Sequence, residues 1–257
     1  MTEQLVDREV IARLCAASLD LIERTILVSD HEVILYANPS TAVLLHAESA
    51  TDLIGIRTEE LSHPDSRAAA KMRRELVAEL GEELTELPTK VIARDGSSFV
   101  GVTDMYPIAF GEQTAFLYTG RIASDGQGAV GWLPASADRA SRPDLFEAAL
   151  EAIPDIVLIH DVERILFANA ACRRYLGAHA PEDIEGRPVD VIVHPDAYAA
   201  GRERRQLLLD GGQPIKGIPL KVVSLDNQAK HVTCDAYPLT IEGSVVAAAI
   251  IAPATAR

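Results

Sequence analysis

Three pairs of polar residues stand close enough in the sequence to suggest acid–base chemistry. They are His63 with Asp65, His194 with Asp196, and Asp104 with Tyr106. Residues two apart on a helix do not face each other, so neither histidine is placed to share a proton with its aspartate. The chain also lacks a glycine-rich phosphate loop, the H-E-x-x-H motif and the G-x-S-x-G motif. We therefore expect structural roles for these residues and no enzymatic activity.

The cysteines are the other candidates for chemistry. Cys15, Cys172 and Cys234 are odd in number and isolated from one another in the sequence. This pattern predicts reduced, buried thiols, and a redox or metal-binding role is the alternative.

These candidates belong to a tandem repeat with an offset of 131 residues. The segment 33–65 recurs without a gap as 164–196, and the match continues downstream, pairing Arg73-Arg74 with Arg204-Arg205 and Asp104 with Asp235. The repeat predicts two copies of one domain of about 110 residues. The predicted organisation is an amphipathic N-terminal helix within 1–22, a first domain over 14–123, a Gly/Ala/Ser/Pro linker at 124–143 and a second domain over 144–254.

Both copies share one order of predicted elements. Two short strands come first, and Asn38 and Asn169 then cap short helices. His-Pro-Asp opens a longer helix in each copy, which ends at Gly81 in the first and at Gly211-Gly212 in the second. Three strands joined by tight turns close each copy. This order predicts an α+β fold with an antiparallel sheet and helices on one face.

The combined features resemble the PAS domain, twice. They are a strand ending in Ala-Asn, a glycine about 17 residues later, His-Pro-Asp before a long helix, and Tyr-Pro near the end of the fourth strand. The resemblance implies a five-stranded antiparallel sheet in the order 2-1-5-4-3 around a small pocket, preceded by an amphipathic helix that often dimerises. It is weak for function, because PAS domains sense oxygen, light, redox state or metabolites, or bind only a protein partner.

The cofactor stays unknown at this stage. Heme PAS domains are similar to one another in placing a histidine on the long helix, and residues 64–80 and 196–210 contain none. The segment ACRRYLG at 171–177 is similar to the flavin motif NCRFLQ, but Cys172 directly follows the Ala-Asn strand end, whereas that motif lies on a later helix. Neither heme nor flavin is supported, although noncovalent flavin stays open, and we expect no metal site.

A ligand is expected between the long helix and the sheet, because ligand pockets are mainly apolar cavities. In the second copy we predict that Leu207, Leu208, Val222 and Ala236 line this pocket, with room left by the small residues at 199–201. The neighbouring basic group is interpreted as a solvated helix face; its members are Arg202, Arg204 and Arg205.

The charge and the apolar segments of the sequence argue against nucleic acid and membranes as partners. The net charge of −14 argues against direct binding to nucleic acid, which needs clustered Lys and Arg. The N-terminus carries acids and no apolar signal region, and the apolar run at 245–252 is far shorter than the roughly 20 residues of a spanning helix. We expect a cytoplasmic protein without a membrane partner.

The function expected from these features is a sensory or regulatory module that binds a small apolar ligand or a partner protein. No helix-turn-helix, kinase or cyclase segment is present, so the output would act in trans if the chain is complete. The first alternative is a binding protein whose small molecule is cargo or substrate, and the others are a heme or flavin redox sensor and an enzyme.

The predicted strands also suggest an interface. The strand at 245–251 is apolar on both faces, so the sheet face away from the domain's own helices must be covered as well. Candidates are the N-terminal helix, the helix at 144–152, the sibling domain and a second chain. We expect helix-on-sheet packing and a homodimer.

Overall fold

The computed structural model describes residues 8–122, 143–241 and 243–254. The predicted linker at 124–143 therefore lies outside the described residues except for its last position, as does the beginning of the predicted helix within 1–22. The described residues form two compact units. One contains residues 19–122 with 143–152, and the other contains residues 8–18 with 153–254.

The first unit holds the first copy of the repeat. Helix α1 (Arg8–Leu21) ends in this unit and leads into its sheet. The remaining elements are β1 (Thr25–Ser29), β2 (Ile34–Ala37), α2 (Pro39–Leu44), α3 (Thr58–Leu61), α4 (Pro64–Leu80), β3 (Leu84–Ile92), β4 (Ser98–Phe110), β5 (Gln113–Ile122) and α5 (Pro143–Ala152).

The second unit holds the second copy. Its elements are β6 (Ile156–His160), β7 (Ile165–Ala168), α6 (Ala170–Leu176), α7 (Tyr198–Gly211), β8 (Ile215–Val223), β9 (Ala229–Ile241) and β10 (Ser244–Pro253). Short 3-10 turns lie at Pro181–Asp183, Val189–Ile192 and Pro195–Ala197.

Each sheet is antiparallel and five-stranded. The strand orders are β2-β1-β5-β4-β3 and β7-β6-β10-β9-β8, which confirms the predicted order 2-1-5-4-3 in both copies. Helix α4 packs on β3 and β4, and α7 packs on β9 and β10. In the first copy one core cluster lies between α4 and the sheet, and another includes residues of α2 and α3; in the second copy one cluster includes residues of both α6 and α7.

A buried asparagine fixes the first strands of each sheet. The Oδ1 atom of Asn38 accepts hydrogen bonds from the backbone N–H groups of Ile26 and Thr41, both at 3.0 Å. Its Nδ2 group donates to the carbonyls of Ile22 and Arg24. Asn169 makes the equivalent cap in the second copy. The predicted caps are therefore confirmed, and they also tie the chain entering each sheet to the second strand.

Helix α4 begins and ends at the predicted residues, whereas α7 begins at Tyr198, later than predicted, and ends before Gly212. His63 caps α4, and its Nδ1 accepts a hydrogen bond from the backbone N–H of Asp65. His194 makes the same contact, but there a 3-10 turn precedes α7. Gly81 and Gly212 follow the helices with φ of 69° and 62°, a backbone conformation that residues with a Cβ avoid.

The outer face of the first sheet is covered by a helix, as expected. Helix α5 packs on β4. Leu27 lines the inner side of β1, so its neighbour Val28 and the paired residue Tyr36 point outward. The ring of Tyr36 lies 5.6 Å from that of Phe146 on α5, edge to face.

No helix among the described residues is long and apolar enough to cross a membrane.

Candidate functional site

The first copy encloses a cavity of about 150 Å³ between α4 and the sheet. Much of its wall is apolar, formed by Leu27, Ile34, Leu45, Leu61, Val91, Phe99 and Met105. Hydroxyl groups make up a second part of the wall, contributed by Thr25, Thr41, Thr58, Ser62, Thr89, Thr103 and Tyr118. The cavity is therefore apolar in bulk with polar groups at defined positions, which is the composition of a ligand pocket.

Most of these hydroxyls are already used by the protein. The Oγ1 of Thr25 donates to the carbonyl of Gly120 at 2.9 Å, and the Oγ1 of Thr41 donates to the carbonyl of Ile26 at 2.9 Å. Such groups hold the sheet together and need nothing from a ligand.

Tyr118 differs from them. Its hydroxyl is buried and makes no hydrogen bond of good geometry with any described residue, although the side chains of Ser29 and Arg74 lie within reach of it. Burial raises the pKa of Tyr118 above its ordinary value, and the nearby side chains of Ser29 and Arg74 oppose that rise. Tyr118 is therefore a neutral phenol on the cavity wall, and its O–H group can donate one hydrogen bond.

Arg74 is the charged residue of this site. It follows Ala70 by four residues and precedes Val77 by three, so all three lie on the helix face toward the sheet. Arg74 is only 7% exposed and lines the cavity. No described residue forms an ion pair with its guanidinium group, and its neighbour for hydrogen bonding is the hydroxyl of Tyr118. A buried cation without a counterion is costly, since charges are normally paired when they leave water.

The second copy has a smaller cavity, of about 90 Å³, at the equivalent place. The residues equivalent to the hydroxyl-bearing wall are Ile156, Cys172, Val189, Val193, Leu220, Cys234 and Ala249, and none carries a hydroxyl. Several of them are buried in one continuous hydrophobic core. In the second copy, mainly aliphatic side chains therefore occupy the positions at which the first copy has hydroxyl groups.

The second copy also pairs its buried arginine. Arg205, equivalent to Arg74, is 9% exposed, and its guanidinium lies 2.8 Å from Oδ1 of Asp190. Partial burial raises the pKa of Asp190, but hydrogen bonds from Arg202 and Arg205 outweigh it and hold the pKa below its ordinary value. In the first copy the position of Asp190 is taken by Glu59, which is exposed and makes no ion pair with Arg74.

The predicted pocket residues of the second copy are only partly placed as expected. Leu208, Val222 and Ala236 line the cavity. The prediction for Leu207 is wrong, because its side chain is 61% exposed. Adjacent residues on a helix point about 100° apart, so Leu207 and Leu208 do not share the inner face. The first copy repeats this arrangement, with Leu76 exposed and Val77 buried.

The interpretation of Arg202, Arg204 and Arg205 as a solvated face is also wrong in part. Arg202 is exposed, whereas Arg205 is buried against Asp190. Of the small residues, Gly201 lines the cavity, while Ala199 and Ala200 are exposed.

The cysteines and the aspartates of the fourth strands, which were the remaining candidates for chemistry, lie in surroundings that indicate structural roles. All three cysteines are buried and free, and burial raises the pKa of Cys172 and of Cys234 to about 12, so both thiols are neutral. Among the described residues no group of three or more His, Cys, Asp or Glu side chains could hold a metal ion. Asp104 accepts a hydrogen bond from the backbone N–H of Glu86 at an irregular point of β3, and Asp235 does the same for Gly217 in β8.

Sequence reasoning missed Arg74 and Tyr118 as cavity residues. A signal was available, because aligning the two copies sets Tyr118 against Ala249 and Thr25 against Ile156. A polar residue that its own repeat replaces by an apolar one is a candidate for a role beyond the shared fold.

Comparison with known proteins gives one family. A family model described as PAS domain matches residues 23–121, and another with the same description matches residues 144–209. The PAS domain of a protein from Desulfitobacterium hafniense is 24% identical over 40% of this chain and 96% of that chain, with a TM-score of 0.36. An RNA-binding Light-Oxygen-Voltage receptor is 11% identical over 90% of this chain and 96% of that chain, with a TM-score of 0.40. The Rhodobacter sphaeroides LOV protein is 15% identical over 49% of this chain and 71% of that chain, with a TM-score of 0.39. No curated protein sequence matches this chain significantly.

Proposed function

This chain belongs to the PAS family through both of its halves, and on that premise we propose that it is a non-enzymatic sensor whose first domain binds a small ligand. PAS domains are sensory and signalling modules. In this proposal the second domain keeps the fold with a filled core and contributes to contacts rather than to ligand binding. The signal passes to a protein partner, and a second copy of the chain is the simplest one.

The observation that carries this proposal is the difference between the two cavities. Empty space in a core costs stability, in proportion to its volume. The second copy shows that this scaffold accepts aliphatic residues at the same positions, for instance Ile156 in place of Thr25 and Ile251 in place of Gly120. A first domain that keeps both the space and the polar wall is therefore best explained by an occupant.

Helix α4 supports a link between that occupant and a partner. Its inner face carries Arg74 and Val77, whereas Met72, Leu76 and Leu80 lie four residues apart on another face and are 63%, 40% and 56% exposed. The equivalents of Met72 and Leu80 in the second copy are Glu203 and Gly211, so the exposed apolar stripe is special to the first copy. A ligand that shifts α4 would change the surface that this stripe presents.

Ligand binding is tested by filling the cavity. Ala70 lines it from α4, whereas Ala68 is exposed on the same helix. Protein purified from cells is denatured, and released small molecules are identified by mass spectrometry, with an absorbance spectrum taken beforehand. We expect a molecule that accompanies the wild type and the Ala68→Leu control, and is lost from Ala70→Leu. Retention by Ala70→Leu, with the fold intact by circular dichroism, would count against this cavity.

The partner is tested separately by light scattering over a concentration series. We expect a dimer that Leu76→Glu weakens and that Leu207→Glu, at the equivalent exposed position of the second copy, leaves unchanged. A wild type that stays monomeric at every concentration would remove the homodimer and favour a carrier of cargo or substrate over a sensor.

A further inference from the structure

We propose that the ligand of the first domain is a small organic carboxylate, bound through its charged group by Arg74. This inference rests on the proposed function, since it names the chemistry of the ligand that the cavity takes. The geometry behind it is a guanidinium that is 7% exposed, lines the cavity and lacks a counterion among the described residues.

The sibling domain shows what Arg74 is missing. Arg205 occupies the same place and is neutralised by the carboxylate of Asp190 at 2.8 Å. Its first-domain equivalent, Glu59, is exposed and forms no ion pair with Arg74. A carboxylate delivered by a ligand would restore the pairing that the second domain makes internally, and arginine binds carboxylates with two parallel hydrogen bonds.

The charge around the cavity favours an anion. Its wall contains Arg73, Arg74 and Arg121 and no acidic residue. Arg73 donates to the carbonyl of Pro88, and Arg121 is paired with Glu86 at 2.7 Å. Among these three arginines Arg74 is the one with neither a carbonyl nor a carboxylate partner among the described residues.

An outer groove reaches the same arginine. Thr58 and Arg74 line both the cavity and a polar groove whose other lining residues are His31, Glu32, Arg57, Glu59, Lys71 and Glu75. The glutamates of this groove are offset by Arg57, Lys71 and Arg74, and none lies within 4.0 Å of the Arg74 guanidinium. An anion can therefore approach Arg74 from this side without meeting a net negative wall.

Tyr118 supplies a second polar contact. Its hydroxyl is buried and lies within reach of the side chains of Ser29 and Arg74. A carboxylate held by Arg74 would accept this hydrogen bond as well. Arg74 and Tyr118 would then both donate to one ligand group, in keeping with the rule that buried polar atoms are hydrogen-bonded.

The rest of the cavity sets the size and character of the ligand. A space of about 150 Å³ accepts a molecule of roughly the size of benzene. The remaining wall is apolar, with Phe99, Met105 and Val91 among its members. The ligand is thus a short aromatic or branched aliphatic acid, and benzoate is a suitable probe.

The experiment compares benzoate with benzamide, which has nearly the same shape and no charge. Binding is measured by saturation-transfer NMR and calorimetry on the full chain after removal of co-purified molecules. A hydrogen bond to a charged group changes affinity about 10- to 100-fold, so we expect benzoate to bind more tightly than benzamide by that factor. If neither binds, and no molecule co-purifies, the proposed function itself fails; if both bind equally, only the carboxylate assignment fails.

Variants locate the charge. Arg74→Gln is expected to abolish the preference for benzoate while keeping binding of benzamide. The control Arg67→Gln removes the same charge from an exposed position of α4 outside both cavity and groove, and should keep the preference. If Arg74→Gln does not fold, Tyr118→Phe serves instead and is expected to weaken benzoate several-fold more than benzamide. If a folded Arg74→Gln variant keeps the preference for benzoate, the assignment of the carboxylate to Arg74 is wrong. If only Tyr118→Phe folds and it keeps the full preference, the assignment is also wrong.

Discussion

The two domains are built on one scaffold, yet they treat the same interior position in opposite ways. In the second domain the buried Arg205 forms an ion pair with Asp190, and the surrounding cavity wall is mainly aliphatic. In the first domain Arg74 is equally buried but unpaired, beside a larger cavity with a hydroxyl-rich wall. The caps, turns and strand order are the same in both. The difference shows that the fold does not require the first cavity, and Arg74, which lacks a counterion there, is available to a ligand.

The largest expected effect tests which face of the long helix supports the fold. Leu208 is 3% exposed and lines the second cavity, whereas Leu207 is 61% exposed. Leu208→Ala should lower the free energy of unfolding of the second domain by about 2–5 kcal/mol, because it removes buried methyl groups and enlarges a cavity. Leu207→Ala should change it by less than about 0.5 kcal/mol. Urea denaturation followed by circular dichroism measures both.

The equivalent inner and outer residues of the long helix can be compared in the first domain. Val77→Ala should destabilise it more than Leu76→Ala does, since Val77 is buried and Leu76 is exposed. Equal effects of the inner and outer substitutions in either domain would mean that the helix is rotated from the orientation described.

This pair of leucines also shows how far sequence reasoning reaches. The strand order, Asn38 and Asn169 as caps, and the helix ends at Gly81 and Gly212 were predictable, because each depends on local chemistry repeated at a fixed offset. Two adjacent leucines do not reveal the phase of a helix, so Leu207 was placed inside with Leu208.

The site itself was harder to predict than the fold. Arg-Arg in a polar helix is typical of a solvated face, and whether one of the two is buried depends on partners far along the chain. Asp190 lies 15 residues from Arg205, and Tyr118 lies on a strand beyond α4. Cavity volume depends on such distant packing, which the residue pattern of a single element does not contain.

The second prediction concerns the two arginines directly. Arg205→Met should destabilise the second domain by about 1–3 kcal/mol, because Asp190 loses one of its two arginine partners while its side chain is only 18% exposed. Arg74→Met should leave the ligand-free first domain unchanged or stabilise it by up to about 2 kcal/mol, because it removes an unpaired buried charge. Hydrogen exchange read by mass spectrometry separates the two domains.

The direction of the Arg74 effect is the informative part. A loss of several kcal/mol on Arg74→Met in ligand-free protein would mean that the guanidinium has a partner within the chain. Both domains would then pair their buried arginine within the chain, and the comparison between them would no longer favour a ligand.

The smallest effect is a pH dependence confined to the second domain. His160 is fully buried, and burial lowers its pKa below the ordinary value of 6.5, with the nearby charge of Arg205 acting in the same direction. The carbonyl and the carboxylate of Asp161 oppose this shift without cancelling it. Ser29 takes the equivalent position in the first domain and does not titrate there.

The sign follows from proton binding. Below about pH 6.5 the unfolded chain protonates His160 while the folded domain does not, so the stability that is fully present above this pH is lost as the pH falls. The loss is at most about 1.4 kcal/mol per pH unit and ends when the lowered pKa of the folded state is reached. Hydrogen exchange at pH 7.0 and 5.5, corrected for the intrinsic exchange rate, should therefore show the second domain weakened more than the first. His160→Gln should remove most of this difference, because the glutamine does not titrate. If the second domain keeps the same pH dependence in that variant, another group is responsible, and the contrast between His160 and Ser29 has no part in how the two domains differ.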